Sequence, residues 1–123
     1  MMKPLRVLMA AWDELFEQLL REVIERGGHH LTILNPWKKE QAFLDEAKSG
    51  GYDVVILTNT IPLDFSLRLI APLRGACSTK VIVMSWGADE ICREAALRAG
   101  ADAFYALPIS GEQILEAVEA ATG

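Results

Sequence analysis

Five short runs of apolar residues limit what this chain can fold into: Arg6 to Ala11 (RVLMAA), His30 to Leu34 (HLTIL), Asp53 to Leu57 (DVVIL), Lys80 to Met84 (KVIVM) and Ala103 to Ala106 (AFYA). Each is short for a helix and reads as a strand, and Arg6 to Ala11 is the continuous apolar run typical of a strand buried on both faces. Between them lie segments with apolar residues at helical spacing. Asp13 precedes the first of these as a candidate N-cap, Leu15, Phe16, Leu19, Leu20, Val23 and Ile24 form its apolar stripe, and Gly27 and Gly28 stop it. Asn35-Pro36 breaks the second strand, and Glu40 to Lys48 is a short helix carrying Ala42, Phe43 and Ala47. Asp64 to Leu73 reads as a helix that Pro72 terminates or kinks near its end. Ala88 to Ala99 is a helix closed by Gly100, and Ser110 caps a last helix expected to bury Ile114, Leu115 and Val118.

Apolar strands joined by helical crossovers make a parallel sheet covered on both sides, so the chain belongs to the α/β class as a three-layer α/β/α sandwich. The expected strand order is the flavodoxin-like 2-1-3-4-5, which places a site at the carboxyl ends of strands 1 and 3, where the winding reverses. The residues there are Ala11, Trp12, Asp13, Thr58, Asn59, Ser85, Trp86 and Leu107. With 123 residues the chain forms one domain, residues 1–123. A net charge of −5 and twelve scattered basic residues argue against a nucleic-acid surface. No apolar run approaches the ~20 residues that span a bilayer, and the first residues lack a secretory pattern, so the expected location is the cytoplasm. Cys77 and Cys92 have no metal-site spacing and read as reduced thiols. His29 and His30 point to opposite faces of a strand, cannot readily share a metal, and read as surface or rim residues.

The usual chemistry of such folds is missing. Ala10-Ala11-Trp12-Asp13-Glu14 cannot cradle a phosphate as a flavodoxin loop does, and neither GxGxxG nor GxxxxGK[ST] occurs. Ser85 has no GxSxG context and no histidine base near it in sequence. No catalytic residue, metal site or cofactor is expected, and the chain does not read as an enzyme.

Two stretches carry a family resemblance. Ala99-Gly100-Ala101-Asp102-Ala103-Phe104, followed after three residues by Pro108, and the strand-to-proline stretch Asp53 to Pro62 resemble the receiver domain (CheY-like) of bacterial response regulators. The distance from the end of strand 1 to Gly28 also fits, and the resemblance covers residues 4–121. It implies a module of two-component signalling and phosphorelay. Active receivers hold Mg²⁺ with an acidic pair after strand 1 and a phosphoacceptor aspartate after strand 3. A hydroxyl after strand 4 and a lysine after strand 5 bind the phosphoryl oxygens. On this sequence the acidic pair falls on Ala11 and Trp12, the acceptor on Thr58, the hydroxyl on Ser85 and the lysine on Leu107. Only Ser85 keeps its type. The losses agree with one another, because clustered carboxylates and a central lysine need each other's charge. The resemblance thus implies a pseudo-receiver. Sliding strand 1 by two residues would make Asp13-Glu14 the acidic pair, but breaks the spacing to Gly28 and moves the apolar helical stripe; Thr58 and Leu107 remain even then.

Each position also has a plain structural reading. Thr58 and Ser85 are hydroxyls that bond backbone at a strand end. Phe104, the family's switch aromatic, reads first as core. Trp12 and Trp86 either fill the volume of the lost metal site or form a binding surface, which leaves a small-molecule pocket framed by Trp12, Thr58, Ser85 and Trp86 as a further reading. Trp37 is an exposed anchor or a loop plug. Leu107-Pro108 is expected to be cis. The family's docking face carries Arg93, Arg98 and Asp102 here, and its last helix carries Glu112, Glu116 and Glu119 without Lys or Arg. A protein partner is expected, with no nucleic acid and no membrane. A homodimer stays open, but the cross-subunit ion pairs of one common receiver dimer lack their basic groups.

Overall fold

In the computed structural model, which describes residues 3–12, 14–60, 62–76, 78–87 and 90–122, strands and helices alternate except between the third and fourth strands, where two helices follow one another. The elements are β1 (Arg6–Ala10), α1 (Glu14–Arg26), β2 (His30–Leu34), α2 (Glu40–Ser49), β3 (Val54–Thr58), α3 (Leu63–Arg68), α4 (Ile70–Ala76), β4 (Lys80–Trp86), α5 (Glu90–Ala99), β5 (Ala103–Leu107) and α6 (Gly111–Ala120). The five strands form one parallel sheet in the order β2-β1-β3-β4-β5. The fully apolar strands are the reason: β3 is buried along its whole length, as a central strand covered on both faces must be.

The pleat sorts each strand onto two cores. Val7, Met9, Val54, Ile56, Ile82 and Met84 pack with Phe16, Leu20 and Ile24 of α1 and Ile114, Ala117 and Val118 of α6. Leu8, Ala10, Val55, Leu57, Val81 and Val83 pack with Phe43, Phe65, Leu69, Leu73 and Ala96 of α2 to α5. Truncating a fully buried residue such as Leu20 or Ile24 to alanine costs about 2–5 kcal/mol. Among the described residues no helix is long and apolar enough to cross a membrane.

Local signals set the element ends. His29 N–H bonds Ile24 O across Gly28, whose φ of 87° lies in the left-handed region, so the glycine ends α1. Gly100, at φ 111°, ends α5 in the same way, with Ala101 N–H on Ala96 O. Ser110 and Gln113 form a reciprocal capping box at the start of α6. The Leu107-Pro108 peptide is cis. The Asp13 cap and Cys77 lie outside the described residues.

Four expectations need correction. The helix expected over Asp64 to Leu73 is two helices, broken at Leu69 and continuing past Pro72 to Ala76. Pro72 sits in the first turn of α4, where its missing N–H needs no partner. The carbonyl its ring would strike, four residues back, belongs to Arg68, the last residue of α3. Leu15 and Leu19, counted into the buried stripe of α1, are 81% and 49% exposed. On the helix both lie at the edge of the stripe, turned away from the core residues Leu20 and Ile24. Leu115 is half-buried, and Ala117 takes the core position expected for it. His29 is buried, not a rim residue. Its Nδ1 accepts from Leu5 N–H at 2.9 Å, so Nε2 carries the proton and donates to Glu119 Oε2 at 2.9 Å. One imidazole thereby ties the chain ahead of β1 to the last helix.

Candidate functional site

The carboxyl ends of β1, β3 and β4 meet where the strand order reverses. Here Ala11 is buried and donates its N–H to Leu34 O at 3.2 Å, and Trp12 follows it to the surface. β3 ends on Thr58, which is fully buried. The polar triplet Thr58-Asn59-Thr60 then folds back over the strand ends. Thr58 Oγ1 donates to Ala10 O at 2.8 Å. Its single proton being used there, the 2.8 Å contact with Thr60 Oγ1 must be a donation from Thr60. Thr60 Oγ1 in turn accepts Trp12 N–H at 2.8 Å. The result is a one-way relay from Trp12 N–H through two hydroxyls to Ala10 O. It stitches the end of β1 to the loop after β3 and leaves no proton of the relay unpaired.

A second clasp closes the β3–β4 side. Asn59 Nδ2 donates to Trp86 O at 2.9 Å, and Asn59 Oδ1 accepts Trp86 N–H at 2.8 Å. Ser66 Oγ adds a 2.7 Å bond to Thr58 O. Satisfied donors and acceptors at a buried strand end favour one conformation, because each broken pair would expose a desolvated group.

Ser85 stands apart. It is fully buried, and its Oγ has no hydrogen-bond partner. The pleat explains the difference: Thr58 continues the face of Ile56, toward α1 and α6, while Ser85 continues the face of Val83, toward the other core. Two strand-end hydroxyls of like type are thus directed to opposite sides. Leu107 is buried in the α1–α6 core, and Phe104 in the opposite core beside Val83, its neighbour in register. Among the described residues no group of three or more His, Cys, Asp or Glu could hold a metal ion.

The indoles are not plugs. Trp12 is 65% exposed and Trp86 is 42% exposed, so the groups that meet Thr58 Oγ1 are Ala10 O and Thr60 Oγ1. Trp86 leans edge-on against Phe16 of α1 at 5.4 Å between ring centres. With Leu15 and Leu19 these two rings line a shallow apolar groove of about 240 Å³. On the face of α5, β5 and α6, Arg93 is exposed and lies 3.7 Å from Glu90. Arg98 is exposed. Asp102 is committed to structure: its Oδ2 accepts Val81 N–H at 2.8 Å and pairs with Arg74 at 2.6 Å. Asn59 and Thr60 hold these bonds although no motif in the sequence alone assigns either of them a role. The signal was the polar triplet directly after an apolar strand, a pattern in which Asn and Thr side chains bond nearby backbone.

No family model matches the chain, and no curated protein matches it. Solved structures do. A response regulator from Thermotoga maritima is 21% identical, with 98% of each chain covered and a TM-score of 0.82. The receiver domain of Francisella response regulator 1452 is 23% identical, with 96% of each chain covered and a TM-score of 0.82. The fold is that of a receiver domain. A response regulator protein from Burkholderia pseudomallei, solved with a phosphorylated aspartic acid, calcium ion and citrate, is 26% identical; the match covers 92% of this chain and 65% of that one, with a TM-score of 0.78. The receiver fold is therefore matched over nearly the whole length at low sequence identity.

Proposed function

We propose that this chain is a pseudo-receiver, a module of bacterial two-component signalling that works through protein contacts and carries no phosphoryl group. One observation carries the reading: the position beside Thr58 is closed by the chain's own hydroxyl relay, with no carboxylate among Ala11, Trp12 and Thr58. Phosphoryl transfer to a receiver needs an anionic acceptor and a cation that neutralises the transferred group. Thr58 Oγ1 is neutral, buried and already committed to Ala10 O. Leu107 supplies no positive charge, and its burial in the core agrees with an uncharged site.

Signalling then rests on surfaces. The groove of Leu15, Phe16, Leu19 and Trp86 lies on the α1 side of the site, and large exposed apolar side chains of this kind form the centres of protein interfaces. The face of α5, β5 and α6, with Arg98 exposed, is the second contact surface. Regulation comes from the partner or from abundance. The reading is tested by titrating Mg²⁺ while following tryptophan fluorescence, since Trp12 and Trp86 flank the site. A flat response to millimolar Mg²⁺ agrees with it. A saturating change that Ca²⁺ also produces would mean that shifted acids, such as Glu14 with Asp13, hold a cation after all.

A further inference from the structure

We propose that the turn between β2 and α2, with Arg68 of α3, is a docking site for an acidic protein segment carrying an apolar side chain. The turn runs Pro36-Trp37-Lys38-Lys39, closed by Lys39 N–H on Pro36 O at 2.8 Å and by Trp37 N–H on Asn35 Oδ1 at 3.0 Å. Trp37 is 38% exposed, and the ring beneath it is Phe65, edge-on at 5.2 Å. The guanidinium of Arg68 lies over that same ring, 5.3 Å from its centre. Phe65 therefore gathers an exposed indole and a cation onto one patch, with Lys38 and Lys39 following Trp37 directly in the turn.

Charge identifies the occupant. The chain carries −5 overall, yet Lys38, Lys39 and Arg68 are exposed, and among the described residues no carboxylate lies within ion-pair distance of any of them. Arg21, Arg26, Arg74 and Arg93 each have an acidic partner, while Lys3, Lys48, Lys80 and Arg98 share the lack of one among the described residues. What sets Lys38, Lys39 and Arg68 apart is Trp37, which adjoins Lys38 in the chain and shares the Phe65 ring with Arg68. Lys38, Lys39 and Arg68 outnumber the neighbouring Glu40 and Asp64, so the patch beside the half-exposed indole is net positive and complements a carboxylate-bearing segment with one apolar side chain. A polyanion such as single-stranded nucleic acid could stack on Trp37, but three cations on an acidic chain are too few to track a phosphate backbone. The backbone adds a consistent detail. Lys38 has φ 62°, in the left-handed region that glycine fills without cost, so the turn keeps a lysine where glycine would be easier.

The test uses the whole chain, isotopically labelled, and a synthetic peptide of alternating Asp and Glu with one central Phe. Its controls are the Asn/Gln version of that peptide and oligo-thymidine. Amide shifts mapping to residues 35–39 and 65–68 are expected with the acidic peptide. Charge reversal by Lys38→Glu with Lys39→Glu should weaken binding roughly tenfold or more, as should Trp37→Ala. Lys38→Gly relieves the backbone, so it should raise Tm while weakening binding, an outcome that a merely structural turn would not give. The proposal is overturned by no shifts at millimolar peptide in low salt, by shifts on another face, by charge-reversed protein binding equally well, or by preference for oligo-thymidine. None of these outcomes depends on whether the chain can be phosphorylated.

Discussion

Deleting the hydroxyl at Thr58 and at Ser85 should change stability in opposite senses, although both are fully buried hydroxyl residues at the ends of adjacent strands. Thr58→Val keeps the shape and removes Oγ1. Ala10 O loses a 2.8 Å donor, and Thr60 loses the acceptor that fixes its proton. Leaving such groups unpaired costs about 1–3 kcal/mol. For a chain of this size that lowers Tm by about 3–15 °C, at roughly 3–5 °C per kcal/mol. Ser85→Ala removes an oxygen that has no partner. Its desolvation penalty disappears with it, so Tm should hold or rise by up to about 5 °C. Thermal denaturation followed by circular dichroism, with a urea series to check that the m-value is unchanged, measures both. If Ser85→Ala destabilises as much as Thr58→Val, the relay is not what distinguishes the two positions, and the reasoning fails.

Other consequences follow from named contacts. His29→Ala removes the acceptor of Leu5 N–H and the donor to Glu119, and should cost about 1–3 kcal/mol in urea unfolding, while Glu119→Gln, which keeps an acceptor, should cost far less. Leu15→Gln with Leu19→Gln should shift stability by no more than about 1 kcal/mol, because both side chains are largely exposed, whereas Phe16→Ala should cost about 3–5 kcal/mol. Burial pushes the Tyr52 hydroxyl above the usual tyrosine value of about 10, opposed by its bond with Thr32 and reinforced by its bond to Glu46. The unfolded chain then loses this proton first, so its contribution to stability is full below pH ~10 and falls as pH rises from there through the folded value. Tyr52→Phe should remove that alkaline slope in a stability-versus-pH series.

The architecture was legible because its signals are local and redundant: short apolar strands, glycines after helices, a serine cap before the last helix and a proline after the last strand. Each names one element, and the order of elements leaves few topologies. The errors came where tertiary context decides. Six apolar residues on α1 share a stripe, but only the packing of α1 in the fold says that Phe16, Leu20 and Ile24 face the core and Leu15 and Leu19 do not. A proline reads as a helix stop, yet Pro72 sits in the first turn of a new helix because the preceding one ends four residues before it. A histidine after two glycines reads as rim, yet His29 is buried because Leu5 and Glu119, far away in sequence, come to either side of its ring. At the site, the residue types at Ala11, Trp12, Thr58 and Leu107 were legible. The relay was not, since a hydroxyl's partner depends on where the next turn folds.

The central claim is that the place beside Thr58 takes no phosphoryl group. Incubating the protein with acetyl phosphate and Mg²⁺ and recording the intact mass tests it most directly. The account predicts an unchanged mass for the wild type under conditions that modify an active receiver in parallel. A Mg²⁺-dependent gain of one phosphoryl group would contradict it, the more so if the gain persisted in Thr58→Val and so pointed to a shifted acid.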